Sequence, residues 1–220
     1  MSSPAAQFDA VVFDLGGVVM PSPLDAFRDY ETSMGLPHRF LSEVVLSTGE
    51  DGAWSRLERG ELTMDEFADE FEAECALAGG TIDVGELFGA VHASSGARPE
   101  MVEAIGRIRA EGMKTAALTN NWRADGSAAT ATSGSVLDGL FDVVVESVVE
   151  GLRKPDPRIY ELVCERLTVA PEASVFLDDL GVNLKPARAM GMTTIKVGDP
   201  AVALAELEGV LGFALGQGGP

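Results

Sequence analysis

Positive charge is scarce in this sequence. It carries 16 Lys and Arg against 35 Asp and Glu, a formal net charge of −19, and four lysines: Lys114, Lys154, Lys185 and Lys196. Non-specific binding to nucleic acid or to an anionic membrane needs clustered basic residues, so neither partner is expected. An acidic chain that takes an anionic substrate must build a local positive site against its own field, which makes the place of each cation informative. Cysteine is nearly as rare. Cys75 and Cys164 lie far apart with no CxxC spacing, which argues against a zinc site or disulfide framework and for reduced thiols. Residues 1–7 lack the basic residues and apolar core of a signal peptide, and no apolar run reaches the length of a membrane span. A cytoplasmic protein is the expectation.

What is present is apolar. With 46% hydrophobic residues, 220 residues can bury a substantial core and hold one domain with a sizeable insertion. The run Val11-Val12-Phe13-Asp14-Leu15-Gly16-Gly17-Val18-Val19 reads as a buried parallel strand that delivers Asp14 to its carboxyl end, where open α/β sheets place ligands. Gly16 and Gly17 permit a sharp turn and close approach to the backbone. By itself, an aspartate that ends a strand is more often a turn former or a helix cap than a catalyst.

After this strand, Pro21 and Pro23 predict an extended exit rather than an immediate helix. Apolar residues then recur at helical spacing near Leu24–Met34, Arg39–Leu46, Ala53–Arg59, Met64–Leu77 and Val84–His92, with Thr63 as N-cap of the fourth segment. This predicts an all-helical module over 21–95, set between 1–20 and 96–220. From Arg98 the rhythm alternates. Helices are expected over Pro99–Glu111 and from Pro157 to about Leu167, and strands over Thr115–Leu118, Phe141–Val145, Val175–Leu177 and Thr193–Val197. A further helix opens at Asn183, a last one spans Pro200–Leu211, and Arg123–Ser135 reads as a connection. The expected class is α/β, a Rossmann-like parallel sheet with helices on both faces plus a small helical insertion.

In such a sheet, Asp14, Thr119, Lys154 and the Asp178-Asp179 pair share one edge and can converge on one cleft. A hard divalent cation takes oxygen ligands, which carboxylates from two strands and a main-chain carbonyl supply. Adjacent buried aspartates are costly without such a cation, although a solvated acidic turn is the competing reading.

The order and type of these groups resemble the haloacid dehalogenase superfamily, through Phe13-Asp14-Leu15-Gly16-Gly17-Val18, Leu118-Thr119-Asn120, Lys154-Pro155 and Phe176-Leu177-Asp178-Asp179. The stretches Glu150–Tyr160 and Phe176–Arg188 are similar to the branch containing the N-terminal phosphatase domain of soluble epoxide hydrolases and a domain of multidomain acyl-CoA dehydrogenases. The resemblance implies a Mg²⁺-dependent phosphohydrolase of a small phosphorylated metabolite, with 21–95 as its cap. Asp14 is then the nucleophile that forms an aspartyl-phosphate. Thr119 and the amide of Asn120 bind phosphoryl oxygens, and Lys154 balances charge. Asp14, the Gly16 carbonyl and Asp179 hold the metal, with Asp178 in its outer shell or bound to Lys154.

One position departs from the pattern. Most phosphatases of the superfamily carry a general acid two residues after the nucleophile, where this chain has Gly16. General acid catalysis typically contributes about 10²–10⁴-fold. A residue such as His38, Glu50, Asp51 or Glu58 supplies the proton, or the substrate has a good leaving group, or the chain binds a phosphorylated ligand or partner protein with weak turnover. Solvated helix capping competes for His38. His92 reads as a packing residue rather than a base; Trp122 could line the cleft, with a core or rim place the favoured reading, and Arg153 either contacts substrate or, the favoured reading, faces solvent. The superfamily's dehalogenases need no metal, so the intact Asp178-Asp179 pair argues against carbon–halogen hydrolysis.

Overall fold

The computed structural model describes residues 8–93, 96–123, 137 and 139–216. Beyond Arg123, the connection expected over 123–135 lies outside them. Five strands, β1 (Ala10–Phe13), β2 (Lys114–Thr119), β3 (Val143–Glu146), β4 (Ser174–Asp178) and β5 (Thr193–Lys196), form one parallel sheet in the order β3-β2-β1-β4-β5. The first strand of the chain is therefore the central one. Successive side chains of a strand point to opposite faces. Val11 and Phe13 accordingly join one core cluster, with Met101 and Ile105, while Ala10 and Val12 join a second, with Ile159 and Val163. The all-apolar β1 is thus explained by burial on both faces.

Between β1 and β2 lie α1 (Pro23–Met34), α2 (Phe40–Thr48), α3 (Ala53–Glu58), α4 (Met64–Leu77), α5 (Val84–Ala93) and α6 (Pro99–Ala110). After β3 come α7 (Ser147–Glu150), α8 (Pro157–Leu167), α9 (Gly181–Ala189) and α10 (Pro200–Leu211). The expected extended exit runs to Ser22, whose backbone is extended, and α1 opens one residue before the expected Leu24, with Pro23 in its first turn, a position where its missing N–H costs nothing. Thr63 and Glu66 form a reciprocal capping box at α4. α9 begins at Gly181, two residues before the expected Asn183.

Helices α1 to α5 surround a third core cluster centred on Trp54, whose ring lies 5.1 Å from Phe27, 5.6 Å from Phe67 and 5.7 Å from Phe71 between centroids. Trp122, three residues beyond the end of β2, inserts into it at 5.1 Å from Phe88 and 6.1 Å from Trp54. A residue of the sheet edge thereby completes the core of the helical segment. Trp122→Ala is expected to cost about 3–5 kcal/mol, read as a lower midpoint in urea unfolding.

Candidate active site

The amide of Asp14 extends the sheet by donating to the Leu177 carbonyl at 2.9 Å, which places its carboxyl group at the centre of the carboxyl edge. Oδ1 accepts from the Leu15 amide at 2.7 Å, and Oδ2 lies 2.8 Å from Lys154 Nζ. Lys154 Nζ meets Asp178 Oδ2 at the same distance. The ammonium is fully buried and lies 5.6 Å from the centroid of the Phe176 ring. Asp178 also accepts from the Leu180 amide at 2.8 Å and, on both oxygens, from Asn183 Nδ2 at 3.1 Å. Of the two roles open to Asp178, the structure shows contact with Lys154.

Asp179 faces the same space, with Oδ2 accepting from the Ser22 hydroxyl at 3.2 Å. One oxygen from each of Asp14, Asp178 and Asp179 lies within 4.8 Å of the others. Three carboxylates around one ammonium leave negative charge uncompensated, and the proton affinities record it. Burial pushes Asp14 well above its ordinary value; Lys154 opposes this, while Asp178 and Asp179 add to it. Burial and the neighbouring Asp178 raise Asp179 to about 6. For Lys154 burial works downward, but Asp14 and Asp178 outweigh it, and the ammonium is held above its usual value.

The two glycines have separate reasons. Gly17 has φ +78°, and a Cβ there would sit 2.2 Å from Asp179 Oδ2, so only glycine lets Asp179 approach. At Gly16 a Cβ would lie 3.2 Å from Cδ of Pro23. The first turn of α1 stands close to where an acid side chain would start.

A cleft of about 560 Å³ opens beside this cluster, lined by Asp14, Gly16, Lys154 and Asp179 from the sheet edge and by residues of α1, α2 and α3. Asn120 lines it too, and its side chain brackets the Lys154 peptide: Oδ1 accepts from the Lys154 amide at 2.8 Å and Nδ2 donates to the Lys154 carbonyl at 3.1 Å. Thr119 is buried at the end of β2, its hydroxyl donating to the Asn120 carbonyl at 3.3 Å, and is not among the residues lining the cleft.

Arg153 is corrected from solvent-facing to cleft-lining: Nε donates to Glu58 Oε2 at 2.7 Å, and Nη1 reaches Glu50 Oε1 at 3.0 Å. Glu58 accepts three N–H groups, from Trp54, Arg153 and Asn120, so its oxygens serve as acceptors. His38 lines the cleft but does not cap α2; buried Glu31 of α1 does, accepting from the amides of Arg39 at 2.8 Å and Leu41 at 2.9 Å. His92 turns back onto the Phe88 carbonyl at 2.7 Å, and Asp51 is not among the lining residues. Glu31 and the Glu58–Arg153 pair were missed in the sequence, where nothing local marks them.

Asp179 gives a pH-dependent test. With its folded-state value raised to about 6 against 3.8 unfolded, its ionised form destabilises the metal-free fold above pH 6 and costs nothing once both states are protonated. In chelator-treated protein, Asp179→Asn is expected to raise stability at pH 7.5 by up to about 3 kcal/mol. The gain fades as pH falls from 6 towards 4, read by thermal melts at both ends.

The chain matches a family model described as haloacid dehalogenase-like hydrolase over residues 8–191. It is 41% identical over 217 residues to mouse (Mus musculus) acyl-CoA dehydrogenase family member 10, covering 97% of this chain and 20% of that protein. It is 37% identical over 220 residues to bifunctional epoxide hydrolase 2 of Sus scrofa, covering 94% of this chain and 40% of that protein. The chain thus spans less than half the length of either. A sesquiterpene phosphatase of Aspergillus oryzae is 25% identical over 209 residues, 93% of this chain and 97% of that one. Among solved structures, a haloacid dehalogenase family enzyme of Bacteroides thetaiotaomicron in complex with magnesium and inorganic phosphate superposes with a TM-score of 0.58 at 19% identity, over 87% of this chain and 96% of that one. With the parallel sheet and the carboxylate–lysine cluster at its edge, the family match shows that this chain belongs to the haloacid dehalogenase-like hydrolases.

Proposed function

We propose that the chain is a Mg²⁺-dependent phosphohydrolase that works through an aspartyl-phosphate on Asp14. The observation that carries this reading is the convergence of Asp14, Lys154, Asp178 and Asp179 beside one cleft. Family membership and the likeness to a named phosphatase support it.

The residues fit a hard cation. Three carboxylates offer oxygen ligands within one small volume, and the raised proton affinities of Asp14 and Asp179 show charge that a cation relieves. Asp14, the Gly16 carbonyl and Asp179 would hold Mg²⁺, with Asp178 behind them on Lys154. When bound, it neutralises charge on the phosphoryl oxygens. Asp14 attacks phosphorus as the bond to the ester oxygen breaks and that oxygen takes a proton. Water then attacks the aspartyl-phosphate, releasing inorganic phosphate and restoring Asp14. Lys154 offsets the charge of nucleophile and phosphoryl group, and the backbone amide of Asn120 binds a phosphoryl oxygen, joined by the Thr119 hydroxyl once it turns from the Asn120 carbonyl towards the cleft.

Residues 21–95 act as a cap on the core of 1–20 and 96–220. The substrate is a small phosphorylated metabolite, met in the cytoplasm rather than on nucleic acid or membrane. Its organic part lies against Leu24, Phe27, Val45, Leu46, Leu180 and Val182, all of which line the cleft. With Glu58 engaged as an acceptor and Glu50 accepting from Arg153 on one oxygen and Arg59 on the other, His38 is the cleft-lining candidate for the proton.

Chelation of metal and Asp14→Asn are each expected to abolish turnover of p-nitrophenyl phosphate; activity that survives both overturns the mechanism. A second reading, a domain that binds a phosphorylated ligand or partner protein with little turnover, is favoured by Gly16 and the proximity of Pro23. Gly16→Asp is the discriminating variant. A rise of about 10²-fold or more in alkyl phosphate hydrolysis supports the second reading, and an efficient native rate across a panel of phosphate esters excludes it.

A further inference from the structure

Glu58 stands at the end of α3, in the helical segment, yet its carboxylate reaches the sheet edge. Oε1 accepts from the Trp54 indole N–H at 3.0 Å, and Oε2 accepts from Arg153 Nε at 2.7 Å and from Asn120 Nδ2 at 3.2 Å. Only 7% of Glu58 is exposed. A buried carboxylate is tolerated where its oxygens are paired, and here two of the three donors belong to the sheet edge. Asn120 has two amide hydrogens; one goes to Glu58 and the other to the Lys154 carbonyl, while its Oδ1 takes the Lys154 amide. Arg153, the third contact, is the residue next to Lys154. Both sheet-edge partners of Glu58 thus lead directly to the backbone that presents the buried ammonium to Asp14 and Asp178.

We infer that Glu58 is a positioning residue: through Asn120 and Arg153 it fixes the 153–154 backbone, so that Lys154 is aligned with Asp14 while α3 is seated on the sheet edge. The inference rests on the phosphohydrolase reading for its kinetic consequence, since a misplacement of about 1 Å costs on the order of 10²-fold in rate. It makes closure of the helical segment a condition for a correctly placed cation.

The test uses the full chain. Glu58→Gln keeps the shape but turns an NH₂ group towards donors. With Mg²⁺ and p-nitrophenyl phosphate, kcat is expected to fall about 10- to 100-fold with KM changed by less than about 3-fold. In the substrate-free protein, hydrogen exchange of backbone amides over 152–156 should quicken. Combining Glu58→Gln with Asn120→Ala should slow turnover by less than the product of the two single losses, because Glu58 acts in part through Asn120. A kcat within twofold of wild type, unchanged exchange over 152–156, or losses that add fully in the double variant overturn the inference. If Glu58→Gln does not fold, Glu58→Asp, which keeps the charge and shortens the reach, is judged by the same three criteria. A wild-type protein without Mg²⁺-dependent turnover defeats the phosphohydrolase reading instead, and the exchange measurement then decides the role of Glu58.

Discussion

The buried ammonium of Lys154, held at 2.8 Å from both Asp14 and Asp178, is the contact on which the arrangement of this molecule depends. A lysine without exposure is stable only beside opposite charge, and each carboxylate in turn needs the lysine. The two aspartates come from positions that follow Phe13 and Leu177, which lie opposite one another in the register of β1 and β4. Any slip of that register would pull the two carboxylates apart and leave the buried ammonium without one of its counter-charges. The apolar residues of β1, buried on both faces, hold the register through packing, and the site therefore inherits its geometry from the core.

Around this trio the protein accumulates negative charge that its own cations do not cancel. Asp179 is drawn in by the absence of a Cβ at Gly17 and is held by Ser22, so a third carboxylate is kept near the first two at an electrostatic cost. Structures retain such a cost where charge is needed for function. In a chain of net charge −19, the local field is strongly anionic, and one lysine is outnumbered. The cleft beside it combines this polar end with apolar walls from Phe27, Val45 and Leu46, which suits a ligand with one charged end and an organic body.

Much of the fold was legible because its signals are local. The Thr63 cap that opens α4 and the Pro157 that opens α8 are written within a residue of the elements they bound. Where local signals are weak, the reading failed. α7 has four residues and no side-chain cap, and α9 opens at Gly181 after a Leu180 that caps nothing, so neither boundary had a chemical mark. Gly16 was legible as an absence, but not the Pro23 ring that stands beside it.

The sequence by itself determined the parallel α/β order and the residues that end its strands, because burial on two faces and punctuation by Asp, Gly and Pro are properties of contiguous chain. Only the tertiary structure decided which group touches which. It gave Asp178 to Lys154, turned Arg153 into the cleft, and set Glu58 against a partner 95 positions away. Pairings of this kind are selected by desolvation and by the donors at hand once the chain has closed. Neighbours in sequence carry no record of them.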